Sequence, residues 1–214
     1  MIYIVSGYRR TGTSAMMKAL HVGGIPAIYA DAMEVVNPDA NGYQPNPGGL
    51  YEVGLNQYMN ADLLREMPDD SVVKILFDGL PCLPCRNYKI IWMERDLDEI
   101  QASTERVDQH IIKEGKGKIK PASEEFSEVS HLLPFCCFRP YNQKDMDHVL
   151  GICEARSDMY VIKVQFSELI KQPKRVFTTL KLMGVPINVS KAAAVIDPLL
   201  HRIRSKECPQ VKQA

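Results

Sequence analysis

The chain has 214 residues, with 26 Lys and Arg against 26 Asp and Glu, and 45% of its residues are hydrophobic. That length builds one sizeable core and is short for two. The balanced charge supplies no global field for nucleic acid or an anionic membrane surface, so any anion site must be local. The first apolar run, Met1 to Val5, is too short for a membrane span or a signal segment. With six cysteines and no such segment, reduced thiols are expected. The expectation is a cytoplasmic protein forming a single domain over residues 1–214, with neither nucleic acid nor membrane as partner.

Ile2 to Val5 is a short β-prone run that meets Ser6-Gly7, and Thr13 to Leu20 follows as a helix that Gly23-Gly24 stops. Val72 to Phe77 and Lys89 to Met93 are two further strands, apolar enough to be buried on both faces. Asp96 and Glu99 then form a capping pair for a helix carrying Leu97, Ile100, Thr104, Val107 and Ile111 at helical spacing. Tyr141 to Arg156 reads as a helix and Met159 to Phe166 as a fourth strand. Pro173 to Met183 is a helix opened by its proline and closed by Gly184, and Ser190 to Ile196 starts a last helix that Asp197-Pro198 interrupts. Strands alternating with helices predict an α/β fold, a three-layer α/β/α arrangement around a mostly parallel sheet. Two irregular stretches, Asn37 to Gly49 and the basic run Lys113 to Lys120, are long enough to be functional. The acceptor side of a site is expected from about 37–58 and 112–142.

Gly7-Tyr8-Arg9-Arg10-Thr11-Gly12-Thr13-Ser14 has the spacing of a phosphate-binding P-loop between a strand and a helix. Such a loop works because backbone N–H groups and the positive helix end converge on one anion. Thr13 stands where a nucleoside triphosphatase or kinase carries the lysine that neutralises the β- and γ-phosphates. The cationic charge lies instead at Arg9 and Arg10, which suits a single phosphate bearing one transferable anionic group. Arg95, at the carboxyl end of the Lys89 to Met93 strand, lies where α/β proteins bind ligands. Ser103 is about two helical turns further on, within reach of a shared anion. The alternative is that Arg95 pairs with Asp98 or Glu99 and that Ser103 is incidental.

The loop resembles the 5′-phosphosulfate loop of PAPS-dependent sulfotransferases, Gly-x-Pro-Lys/Arg-Ser/Thr-Gly-Ser/Thr-Ser/Thr, with Arg9 in place of the proline. Ile90-Ile91-Trp92-Met93-Glu94-Arg95-Asp96 followed by Ser103 is similar to the same family's 3′-phosphate motif. Weaker likenesses cover Asn46 to Glu52 ("NPxGxxE"), Tyr160 to Pro173 ("YEDLxxxP"), Leu182 to Pro186 ("FLGxP") and Ile196 to Arg202 ("IDPxLxR"). The resemblance implies an enzyme, a sulfotransferase that moves the sulfuryl group of PAPS to a hydroxyl or amine of a small-molecule or glycan acceptor and leaves PAP, with no metal. It implies Arg10 as the loop cation, Thr13 and Ser14 as cradle hydroxyls, and Arg95, Ser103 and Arg202 on the 3′-phosphate.

The first choice of general base is Glu52 after the irregular loop. The runner-up, Asp78, closes the Val72 to Phe77 strand and precedes Gly79-Leu80-Pro81, a segment resembling "THLP" in which the family histidine falls at Gly79. Lys74 either faces the site and neutralises the transferred group or snorkels from a sheet edge. His110 and His131 are acceptor-side alternatives with an ordinary surface or core reading. Cys82-Leu83-Pro84-Cys85 reads as packing thiols rather than a zinc or redox pair. The rival functions are a degenerate P-loop kinase and a non-catalytic protein that binds PAPS or PAP.

Overall fold

A computed structural model describes residues 1–29, 51, 65–113 and 143–200, with 108–113 and 200 as backbone only. The elements are β1 (Ile2–Gly7), α1 (Thr13–Val22), β2 (Ala27–Ile28), β3 (Val72–Lys74), a 3-10 turn (Phe77–Cys82), β4 (Tyr88–Glu94), α2 (Leu97–Lys113), α3 (Gln143–Ala155), β5 (Met159–Gln165), α4 (Phe166–Lys171), α5 (Pro173–Leu182), α6 (Val189–Ala194) and a final 3-10 turn (Pro198–Leu200). The five strands form one sheet in the order β2-β3-β1-β4-β5. Every pairing in it is parallel, as the alternation of strands and helices predicts.

The protein is therefore an α/β structure with three layers. Tyr3 and Val5 of β1 and Ile91 and Met93 of β4 bury one face of the sheet with Met16, Met17 and Leu20 of α1, Phe166 and Leu169 of α4, and Phe177 of α5. Ile2, Ile4, Ile90 and Trp92 point to the other face, covered by Leu80 of the first 3-10 turn and Met146, Val149 and Cys153 of α3. Each fully buried side chain of this kind contributes roughly 1.5–3 kcal/mol. The chain crosses from one side of β1 to the other between β3 and β4, which makes the carboxyl end of β1 the switch point of the sheet. That switch point is where open parallel sheets hold ligands.

Several boundaries differ from those read in the sequence. The apolar run from Val72 ends as a strand at Lys74, and Phe77 opens a 3-10 turn whose amides at Gly79 and Leu83 bond back to the carbonyls of Leu76 and Leu80. Asp78 therefore lies in this turn and not at a strand end. Phe166 begins α4 instead of closing β5, and the two-residue β2 has too little sequence to show a period. Asp96 caps α2 as expected, its Oδ1 accepting from the amides of Asp98 (3.0 Å) and Glu99 (3.3 Å). Pro173 sits at the start of α5, and Gly184 past its end has φ +82°. Lys89 of β4 turns its Nζ to the carbonyl of Met183, holding one of the last carbonyls of that helix end.

The amino-terminal edge of the sheet is tied by charge. Arg156 donates to both carboxylate oxygens of Asp158 (2.9 and 2.7 Å) and to the carbonyls of Leu83 and Pro84, joining the turn before β4 to the turn before β5. The Arg156 hydrogen bond, helped by the Arg86 amide, holds the Asp158 carboxyl down at about 2. A depressed carboxyl stabilises the fold above its unfolded pKa, and that stability is lost as pH falls through the folded value. Acid unfolding curves should thus steepen between about pH 4 and pH 2, and D158N should flatten that stretch while leaving the pH dependence above it unchanged. An identical slope in D158N denies the network this role.

Candidate anion-binding site at the end of the first strand

The candidate site begins where β1 runs out. Gly7 has φ +139°, and a Cβ placed on it would lie 2.5 Å from the carbonyl oxygen of Met93 and 2.8 Å from Thr11 Oγ1. Thr11 Oγ1 donates to the Tyr8 carbonyl at 2.7 Å and the Thr11 amide to the same oxygen at 3.4 Å, closing the loop on itself. Gly12, at φ +94°, starts α1 with no side chain to cap it, and no acidic residue occupies the first turn. A Cβ on Gly12 would strike the Phe166 ring at 2.3 Å. The helix amides that a capping side chain or an acid would otherwise satisfy thus face the loop. Two positions that only glycine can occupy shape this concavity, as an anion cradle requires.

Cationic groups come to this loop from three elements. Lys74 of β3 is 2% exposed and donates from Nζ to Ser14 Oγ at 3.2 Å. It does not snorkel from an edge, because β3 lies between β2 and β1. Arg10 sits in the loop in the left-handed conformation, φ +68°, and donates from Nε to Ser103 Oγ at 3.0 Å. Arg95 donates from Nη1 to the Arg10 carbonyl at 2.9 Å and from Nε to Glu99 Oε2 at 2.9 Å, with its guanidinium 4.5 Å from the centre of the Phe166 ring. Arg95 thus pairs with Glu99, as the alternative reading expects, and also reaches the loop carbonyl. The described contact of Ser103 is with Arg10 and not with Arg95.

Tyr8 and Asp78 lie together on the side of β1 away from α1. The Tyr8 ring packs against Phe77 with centroids 5.8 Å apart. Burial pushes the Tyr8 hydroxyl above the usual tyrosine range, and the Asp78 carboxylate adds to this against the opposing pull of Arg9. Ser6, fully buried on β1, has a hydroxyl with no hydrogen-bond partner among the described residues. Thr13 is buried at the head of α1, so no charge from that position enters the loop. Glu52, Arg202 and His131 lie outside the described residues, as do Asn37 to Gly49 and the part of the basic run from 114 to 120, and the His110 side chain is not described.

Glu99 and Phe166 join the candidate residues from the structure. In the sequence Glu99 reads as a capping partner of Asp96 or a salt-bridge partner of Arg95, and Phe166 as the last residue of a strand. The i,i+4 spacing of Arg95 and Glu99 was the available signal for the first. For Phe166 the only hint was an aromatic residue at the carboxyl end of a buried strand.

The fold and loop define a parallel α/β protein with a lysine-free, glycine-shaped loop between β1 and α1. No protein-family model matches the chain, and no curated protein matches it. Several solved structures align with it, among them these two. One is a retinol dehydratase in complex with androsterone and inactive cofactor PAP, at 15% identity and TM-score 0.45, covering 93% of this chain and 64% of that one. The other is a sulfotransferase from Alicyclobacillus acidocaldarius, at 15% identity and TM-score 0.44, covering 95% of this chain and 97% of that one. No helix among the described residues is long and apolar enough to cross a membrane.

Proposed function

We propose that this chain is a PAPS-dependent sulfotransferase acting on a hydroxyl or amine of a small-molecule or glycan acceptor. The observation that carries the reading is the contact between Lys74 Nζ and Ser14 Oγ. In an NTP-binding loop the hydroxyl at this position holds Mg²⁺ while a loop lysine reaches the β- and γ-phosphates. Here an ammonium group already occupies that hydroxyl, and Thr13 replaces the loop lysine. The cradle is therefore built for one phosphate with its neighbouring charge met by side chains. Gly7 and Gly12 suit such a group, since a Cβ on either would collide with Met93 or Phe166 and force the loop out of this shape.

Bound PAPS would supply a sulfuryl group whose S–O bond to the 5′-phosphate breaks as the acceptor oxygen or nitrogen bonds to sulfur. The residues of the chain position and neutralise. Amides of residues 8–14, Arg10 and Lys74 take up charge on the departing phosphate. Arg95, Ser103 and Arg202 are assigned to the 3′-phosphate, Arg95 sharing its guanidinium with the loop carbonyl. Asp78 is assigned as the base that takes the acceptor's proton, because it stands beside Tyr8 at the mouth of β1. Glu52, the first choice from its sequence context, lies outside the described residues.

One thermal-shift comparison tests the donor. PAP at about 100 times its Kd should raise Tm by about 5 °C or more, by mass action on the folded state, whereas ATP with Mg²⁺ should not. Stabilisation by ATP·Mg²⁺ alone would assign the loop to a kinase, and stabilisation by neither would remove both readings. Turnover of labelled PAPS across an acceptor panel then separates an enzyme from a protein that only binds PAP.

A further inference from the structure

We propose that Glu99 is a positioning residue for the loop of residues 8–12, acting through Arg95 and the Phe166 ring to hold Arg10 in its left-handed conformation. A non-glycine residue at φ +68° is disfavoured by roughly 1–2 kcal/mol and persists only where its surroundings over-determine it. The described contacts do this. The Arg10 carbonyl accepts from Arg95 Nη1, and Arg95 is itself fixed at a second point by Glu99, with both side chains only 7% exposed. Its guanidinium lies over the Phe166 ring, the same ring that a Cβ on Gly12 would strike. One aromatic ring therefore backs the loop at Gly12 and supports the arginine that holds it at Arg10. Ser103, one helical turn beyond Glu99 on α2, receives the Arg10 side chain.

The sign of the charge makes this assignment sharp. Glu99 places a carboxylate inside a site whose other groups attract anions. By Coulomb's law alone, its removal must strengthen anion binding. A residue that opposes the ligand electrostatically and yet is buried in the site must contribute by geometry. A two-point arginine contact of this kind orients as well as attracts.

Trypsin reads the loop without any ligand, because cleavage after Arg10 gives a fragment that begins at Thr11. Cleavage of a folded chain tracks the population of the locally open form. Glu99→Ala should raise cleavage after Arg10 about tenfold or more while sites elsewhere keep their rates. Glu99→Gln retains an acceptor for Arg95 Nε without the charge, and should restore most of the protection. Arg95→Lys keeps the charge but lacks the two-point geometry, so it should open the loop as Glu99→Ala does, and it decides the matter if Glu99→Ala does not fold. Unchanged cleavage after Arg10, or an equal rise at every site, overturns the proposal. PAP titration is the second arm and rests on the donor reading. Weaker binding in Glu99→Ala supports positioning, and tighter or unchanged binding overturns it. If the wild-type protein does not bind PAP, the donor reading falls and proteolysis alone scores the clamp.

Discussion

Replacing Gly7 by alanine is expected to destabilise the protein by more than about 3 kcal/mol and to abolish PAP binding. Two independent costs add at this residue. Its φ of +139° is a conformation that residues with a Cβ rarely adopt, and the new methyl would lie 2.5 Å from the Met93 carbonyl oxygen. That obstacle is backbone in the middle of the sheet, since Gly7 pairs with Met93 in the β1–β4 register. It cannot swing aside as a side chain would. Gly24 provides the control: its φ is +105°, but nothing lies within 4 Å of an added Cβ. Gly24→Ala should therefore show the conformational cost alone, about 1 kcal/mol. Denaturant unfolding of the two variants gives the steric share as their difference. If Gly7→Ala costs no more than Gly24→Ala, the close approach of β4 does not shape the loop.

The parts of this fold that were legible in the sequence are those whose cause is local. The strand–loop–helix unit from Ile2 to Val22 announces itself because its glycines, apolar run and helical period are contiguous. The capping role of Asp96 was readable for the same reason. Boundaries failed where tertiary contacts decide. Ile75 and Leu80 are both buried, one just past the end of β3 and the other inside a 3-10 turn, and an apolar run by itself does not separate those two settings. Phe166 begins α4 with its ring against Gly12 and Arg95, contacts that the strand pattern does not carry.

The site shows the same division. Gly7, Gly12 and the cationic charge at Arg9 and Arg10 could be read directly, because the segment between β1 and α1 is contiguous. What joins Lys74 to Ser14 and Arg10 to Ser103 is the order of strands around β1, over separations of 60 and 93 residues. Arg95 and Ser103 were singled out from their spacing as a pair sharing one anion, and in the structure they meet different parts of Arg10. Their division of labour, one on the loop carbonyl and the other on the loop side chain, depends on where α2 lies against the loop. No periodicity encodes that placement.

The second large effect should come from Lys74. Lys74→Met keeps an unbranched chain of similar length and removes one buried ammonium group, so the fold should hold, with Tm unchanged or raised. Turnover of PAPS should nonetheless fall roughly 10²–10³-fold, the usual consequence of deleting one preorganised group from a site of developing charge. Most of that loss should appear in kcat, because charge on the departing phosphate grows toward the transition state and is smaller in the bound donor. The Ser14 hydroxyl that accepts from Lys74 is the one a Walker loop gives to Mg²⁺, so in the wild-type protein EDTA should leave both PAP affinity and turnover unchanged. A Lys74→Met enzyme that retains full kcat, or a wild-type enzyme that stops in EDTA, would take the ammonium out of the chemistry and return the loop to a metal-bound nucleotide.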